Sequence, residues 1–246
     1  VRCKKFDTVI KEAKNLADNN HKEIVLTGIH TGRYNDRGHD LADLIEELGK
    51  IDNLERIRIS SIEITELGDK FLRVLKNNPK VCNHLHIPLQ SGSDAILKKM
   101  NRKYDLTYFA EKIKEIREIR PDISITTDII VGHPYETEEN FFECLEFAKK
   151  IEFSKIHVFP YSLREGTAAA KMPEQVSENI KKDRVKRLIA LSNELEKKYY
   201  DKFKGKMVDV LIEECDNGIS FGHTSNYLYV KLNENLEIGK IIEREL

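Results

Sequence analysis

The chain has 246 residues, enough for one large domain or for a domain of about 200 residues with a small appendage. Charged residues make up 34%, mean hydropathy is −0.50, no apolar run approaches the roughly 18 residues of a membrane span, and the first residues lack a signal-peptide core. A cytoplasmic protein without membrane contact is therefore expected, and a formal net charge of −1 leaves any nucleic-acid surface local rather than global.

In chain order, helical periodicity over 6–19 precedes the β-branched run EIVLTGI (23–29). A helix over 41–49, RIRISSI (56–62), a helix over 68–77 and HLHIPLQ (84–90) come next. Helices over 93–100 and 106–119, SITTDIIVG (124–132), a helix over 137–150 and KIHVFPYS (155–162) complete the series. Thr137 followed by Glu138 and Glu139 places a cap and acidic residues at a helix start. Such alternation predicts right-handed βαβ units and a parallel sheet. From Ser177 a longer helix runs to about Phe203, with Leu188, Leu191, Leu195, Tyr199 and Phe203 on one apolar stripe. Residues 179–206 hold ten Lys or Arg against four Asp or Glu, which predicts a basic outer face. Beyond Gly205, KMVDVLIEECD, GISFGHTSNYLYVKL and KIIEREL read as strands joined by Asn/Gly turns, fitting a β-barrel of about 40 residues. The fold class is α/β, with boundaries at 1–176 for a partial (β/α) barrel, 177–205 for a basic connecting helix and 206–246 for a small all-β barrel.

Parallel strands covered on both faces read as continuous apolar runs, and these do not. One face reads Glu23/Thr27, Arg58/Ser60, His84/His86/Gln90, Ser124/Thr126/Asp128 and His157/Phe159/Tyr161. With helices on the apolar face, the polar face is expected to line an open cavity. The loops TGIHTG (27–32), SSIEITE (60–66), QSGSD (90–94) and GHPYET (132–137) stand at strand C-termini, where α/β folds bind ligands and where glycine lets backbone approach a cofactor.

Together EIVLTGIHTGRY, IRISSIE, HIPLQSGSDAILKKMNRKY, TDIIVGHPYETEENF and FPYSLREGTAAAKM, in this order, resemble the radical S-adenosylmethionine methylthiotransferases. The terminal segment with GHTSNYLYV resembles the RNA-binding TRAM barrel of those enzymes. LTGIHTG, ISSIE and GHTSNY point to the MtaB-type subgroup, which adds a methylthio group to threonylcarbamoyladenosine beside the tRNA anticodon. The resemblance implies two 4Fe-4S clusters in a parent enzyme, S-adenosylmethionine, tRNA and a reductant as partners, and a monomer. A 5′-deoxyadenosyl radical would abstract hydrogen from the base carbon.

The family's C-x-x-x-C-x-x-C is missing, since Cys3, Cys82, Cys144 and Cys215 are scattered and VRC at the start matches the V-R-S after the cluster loop. No cluster and no metal ligand are expected in this chain, which reads as a C-terminal fragment or truncated paralogue, inactive alone and without an assignable catalytic residue. By resemblance, Thr27 and Gly28 would lie beside the methionyl end of the cofactor, and Ser60, Ser61 and Glu63 would face ribose and methionyl groups. Gln90 would face the cofactor, and Val131, Gly132, Val158 and Phe159 would offer backbone to adenine. His84, His86, Arg102, Asp128 and Arg164 are substrate-side candidates, with a scaffold role equally open for Arg102 and Arg164.

Two other functions fit parts of the sequence: a cluster-free RNA-binding module, and a relative that modifies a ribosomal protein. From residue 207 onward, three Lys or Arg stand against eight acidic residues, so RNA would be held there by shape or by Phe221, Tyr227 and Tyr229. A Schiff-base aldolase is poorly supported, because Lys155, at the start of its strand, is the only lysine on the polar face.

Overall fold

A computed structural model describes residues 3–246; Val1 and Arg2 of the VRC start lie outside the described residues. The elements are α1 (Phe6–Asp18), β1 (Glu23–Leu26), β2 (Asn35–Asp36), β3 (His39–Asp40), α2 (Leu41–Gly49), β4 (Arg56–Ile59), α3 (Asp69–Asn77) and β5 (His84–His86). Next come α4 (Asp94–Lys99), α5 (Leu106–Ile119), β6 (Ser124–Val131), α6 (Glu138–Ile151), β7 (Lys155–Pro160) and α7 (Glu178–Asp201). The terminal strands are β8 (Met207–Asp216), β9 (Ile219–Thr224), β10 (Tyr229–Leu232) and β11 (Ile241–Glu245). Two compact units result, one of the chain up to His86 with Ile116–Ser124 and Lys202–Leu246, the other of Ile87–Glu115 with Ile125–Asp201.

In the first unit β1 and β4 pair in parallel, from Glu23 opposite Arg56 to Leu26 opposite Ile59. Val81 bridges Ile57 in the same sense, and the Ile62 N–H donates to His86 O at 3.0 Å. Leu48, Leu54, Ile57, Ile59, Ile62, Ile64 and Leu75 are fully buried, as the predicted apolar face requires. Asp40 and Asp43 form a capping box at α2. The hairpin of β2 and β3 went unread in the sequence; its two loop residues, Arg37 and Gly38, both have positive φ, the geometry of a type I′ turn.

The terminal strands form one antiparallel sheet in the order β10-β9-β8-β11 around Val210, Ile212 and Val230. Its outer strands do not pair, so the expected small barrel is an open sheet among the described residues. Gly222 is required there: a Cβ would stand 1.9 Å from Leu211 O.

Within this same unit the starts of β1, β4 and β5 carry the terminal sheet. Arg58 donates to Glu23 at 2.6 and 2.9 Å and to the carbonyl oxygens of Thr224 and Ser225, while Arg56 donates to those of Asp209 and His223. The Tyr227 ring is stacked between His84 and His223, both centroids 4.5 Å away, with the Arg58 guanidinium 4.9 Å from its centre. Glu23, Arg58 and His84 were expected to line a ligand cavity; instead, a contact that strand periodicity cannot foresee occupies them.

In the second unit β6 and β7 pair in parallel, Thr126 opposite Lys155 through Val131 opposite Pro160. The 87–90 segment runs along β6, held by Ile87 N–H to Thr126 O and by the Thr127 hydroxyl, which donates to Ile87 O and accepts from Leu89 N–H. Phe109, Phe141 and Phe153 are fully buried in the core. Leu188, Leu191, Leu195 and Tyr199 of α7 are buried as predicted. Lys181 and Arg184 are buried as well, which removes them from the expected basic face.

The Glu23 side chain is buried, and burial alone would raise its pKa, but the Arg58 hydrogen bond and charge, with Arg56 beside it, hold it below the ordinary carboxylate range. Stability from Glu23 is therefore present above its unfolded pKa and lost as pH falls through the lowered folded value. Glu23→Gln should flatten the acid limb of a Tm-against-pH profile. Arg58→Met, which strands a buried carboxylate, should cost about 3–5 kcal/mol in urea unfolding.

Candidate cofactor and substrate site

Two loops of the first unit lie side by side at strand C-termini. The Ser60 N–H donates to Leu26 O at 3.0 Å, and Arg33 pairs with Glu66 at 3.0 Å. A Cβ on Gly32 would come within 2.4 Å of the Glu66 carboxylate, so the close approach needs glycine. Thr27, Gly28, Ser60, Ser61 and Glu63 are thus brought into two adjoining segments. Thr27 and Gly28 also border a cavity of about 470 Å³ with Thr31 and Tyr34, walled by Leu16 of α1, Leu26 of β1 and Leu44 of α2. His86 is half-buried at the end of β5.

In the second unit Gln90 is held with φ of 69°, its N–H donating to Asp128 O and its carbonyl accepting from Ile130 N–H. Asp128 stands opposite His157, and Ile129 and Ile130 stand opposite Val158 and Phe159. The Phe159 ring is exposed, Val131 is buried and Gly132 comes next with φ of 76°. Gln90, Asp128, Val131, Gly132, Val158 and Phe159 therefore share neighbouring strand ends. Arg102 lies just after α4, its N–H bound to Leu97 O; Arg164 lies on the exposed segment after β7, its carbonyl accepting from Thr167.

The residue that organises this end was not singled out in the sequence. Glu136 accepts from Gly132 N–H at 2.9 Å and from Arg184 at 2.7 Å, both Glu136 and Arg184 side chains being 4% exposed. Burial outweighs these partners and raises the Glu136 pKa. His133, buried beside it and packed edge-on against Tyr161, has its pKa lowered by burial, so its ring is neutral near pH 7. Lys181 crosses the face of Gly132, where a Cβ would meet Lys181 Cγ at 2.4 Å. A readable signal existed: Lys181 and Arg184 continue the stripe of Leu188, Leu191 and Leu195 at spacings of three and four.

The described cysteines do not fit an iron–sulfur cluster. No three His, Cys, Asp or Glu side chains converge as metal ligands among the described residues. Cys82 lies beside Glu23, Cys144 accepts from Gly92 N–H, and burial pushes both thiols up to about 12, away from the thiolate a cluster needs.

The sequence pattern of the Radical SAM superfamily matches residues 4–148. The chain belongs to the radical SAM superfamily. It is 44% identical, over 99% of its length, to the threonylcarbamoyladenosine tRNA methylthiotransferase MtaB of Bacillus subtilis, and covers 56% of that protein. Against the tRNA-2-methylthio-N(6)-dimethylallyladenosine synthase of Thermoanaerobacter sp. identity is 42%, covering 86% of this chain and 46% of that one. The chain thus spans about half the length of the curated relatives it matches. Among solved structures, the radical SAM enzyme HemN of Escherichia coli superposes with a TM-score of 0.59 at 20% identity, covering 77% of this chain and 46% of its own. That likeness carries the α/β fold, whose parallel strand pairs and separate antiparallel sheet match the expected class.

Two outcomes are expected of this radical SAM chain. Gly132→Ala should destabilise it by more than about 1 kcal/mol in chemical unfolding, because the added methyl meets a positive φ and the Lys181 stem together. Anaerobic incubation of the 246-residue chain with iron and sulfide should leave no stoichiometric cluster, and none of the charge-transfer absorbance near ~400 nm typical of such centres.

Proposed function

We propose that this chain is the S-adenosylmethionine-binding and substrate-orienting part of a methylthiotransferase that modifies threonylcarbamoyladenosine in tRNA. The observation that carries the reading is the 44% identity to MtaB, which extends over 99% of the chain and so includes the terminal sheet. Residues 1–176 form the radical SAM core, 177–205 the connecting helix and 206–246 the TRAM-like module.

S-adenosylmethionine supplies adenosyl and methyl groups when bound. Thr27, Gly28, Ser60, Ser61 and Glu63 are the groups for its methionyl and ribose parts; the hydroxyls and the close backbone at Gly32 favour this assignment. Gln90, Val131, Gly132, Val158 and Phe159 are those for the base, supported by strand-end backbone that Glu136 fixes. His86, Asp128, Arg102 and Arg164 remain on the substrate side. His84 acts as a docking residue through its stack on Tyr227. A reductant is a further partner of the methylthiotransferase.

RNA contact falls to the terminal sheet, where Phe221 and Tyr229 are stacked at 5.9 Å beside His223 and Tyr227 and Tyr229 is exposed. Bases of any identity can stack on such aromatic faces. Expression of the complete open reading frame that contains this sequence, in a host lacking its own threonylcarbamoyladenosine methylthiotransferase, tests the reading, with digested tRNA analysed by mass spectrometry. The expected product is the 2-methylthio form of threonylcarbamoyladenosine. Methylthiolation of dimethylallyladenosine, or of a ribosomal protein, in its place would contradict it.

A further inference from the structure

A second cavity, of about 380 Å³, opens in the second unit where β7 ends. Its polar lining is Tyr161, Ser162, Gln175, Lys181 and the Glu178 carboxylate, and Leu163 and Val176 supply apolar wall. Lys181 is 5% exposed, an unusual condition for lysine. Its stem is fixed against Gly132, its ammonium lies 5.3 Å from the centre of the Tyr161 ring, and its acidic partner at 2.9 Å is Glu178, whose side chain is 75% exposed. A carboxylate that exposed can swing into water at little cost, freeing the ammonium for another anion. The Tyr161 hydroxyl is buried without a hydrogen-bond partner among the described residues. Arg184 at the next turn is committed to Glu136, so Lys181 is the cation that lines the cavity, with the mobile Glu178 carboxylate as the counter-charge an incoming anion displaces.

A buried cation beside an unsatisfied hydroxyl is a receptor for an anion that also accepts hydrogen bonds. The cavity exceeds what a bare inorganic anion fills and suits an amino-acid-sized group with an apolar part. We propose that Lys181 and Tyr161 bind the carboxylate of the threonylcarbamoyl arm of the substrate, with Leu163 and Val176 against its methyl. The inference rests on the proposed substrate, threonylcarbamoyladenosine. A dimethylallyl arm has no charge to offer this pocket, so Lys181 is a specificity-determining residue between the two adenosine classes.

Calorimetric titration of the 246-residue chain with N6-threonylcarbamoyladenosine, its methyl ester, N6-dimethylallyladenosine and S-adenosylmethionine tests this. The acid should bind about tenfold or more tightly than the ester, the usual scale of a charge-assisted contact. Lys181→Met, which keeps the stem, should erase that difference, and Tyr161→Phe should reduce it. The acid–ester comparison on the unaltered chain stands even if a variant misfolds. Equal affinity for acid and ester, undetectable binding of both included, would overturn the contact while leaving the substrate class to the tRNA experiment. Preference for the dimethylallyl nucleoside would overturn the substrate reading with it. Loss of S-adenosylmethionine affinity alone in Lys181→Met would assign the ammonium to the cofactor's carboxylate and overturn the proposal.

Discussion

The strand-end geometry of the second unit depends on one buried carboxylate. Glu136 receives the Gly132 N–H and the Arg184 guanidinium, so it joins the turn after β6 to the start of α7. The two partners give the carboxylate hydrogen bonds on two sides, although burial still outweighs them and raises its pKa. This junction sets positions. Gly132 is locked at positive φ, its missing side chain makes the passage for Lys181, and Lys181 and Tyr161 then face the cavity at the end of β7. The strand-end backbone and the Lys181 ammonium are thus set by the same network.

A separate ionic cluster performs a structural task in the first unit. Arg56 and Arg58 reach carbonyl oxygens of the terminal sheet while Glu23 balances them, and Tyr227 closes the arrangement between two imidazoles. Arginine suits this duty because its fork serves a carboxylate and main-chain oxygens at once. Tyr227 itself has φ of 64°, a backbone cost that the stacked rings and the Arg58 contact offset. Polar residues at the starts of these strands therefore serve docking of the terminal sheet.

Element type and order were legible because period-two and period-3.6 patterns report burial directly. The α5 helix falls at 106–119 as read, and β6 and β7 end within two residues of the read limits. Shared location of Gln90, Asp128, Val131 and Gly132 was legible too, since strand C-termini in α/β folds gather by topology. The roles of charged residues were not. Lys181 and Arg184 were given to an exposed basic face by their residue type, although both lie on the apolar stripe of α7, and Glu136 was read only as part of a strand-end loop. His84 and Arg58 were given to a cavity because periodicity identifies a face without identifying what covers it. The open sheet in place of a small barrel has the same origin: strand patterns fix pairing partners poorly.

Amide hydrogen exchange with and without S-adenosylmethionine measures most directly whether the strand-end loops of this chain hold an adenosyl cofactor. Added protection is expected in peptides covering 27–32, 60–66, 87–92, 128–136 and 157–161, with the terminal sheet at 207–246 unchanged. Protection confined to the terminal sheet, or absent from the strand-end peptides at cofactor concentrations that saturate other radical SAM enzymes, would contradict cofactor binding at the strand ends.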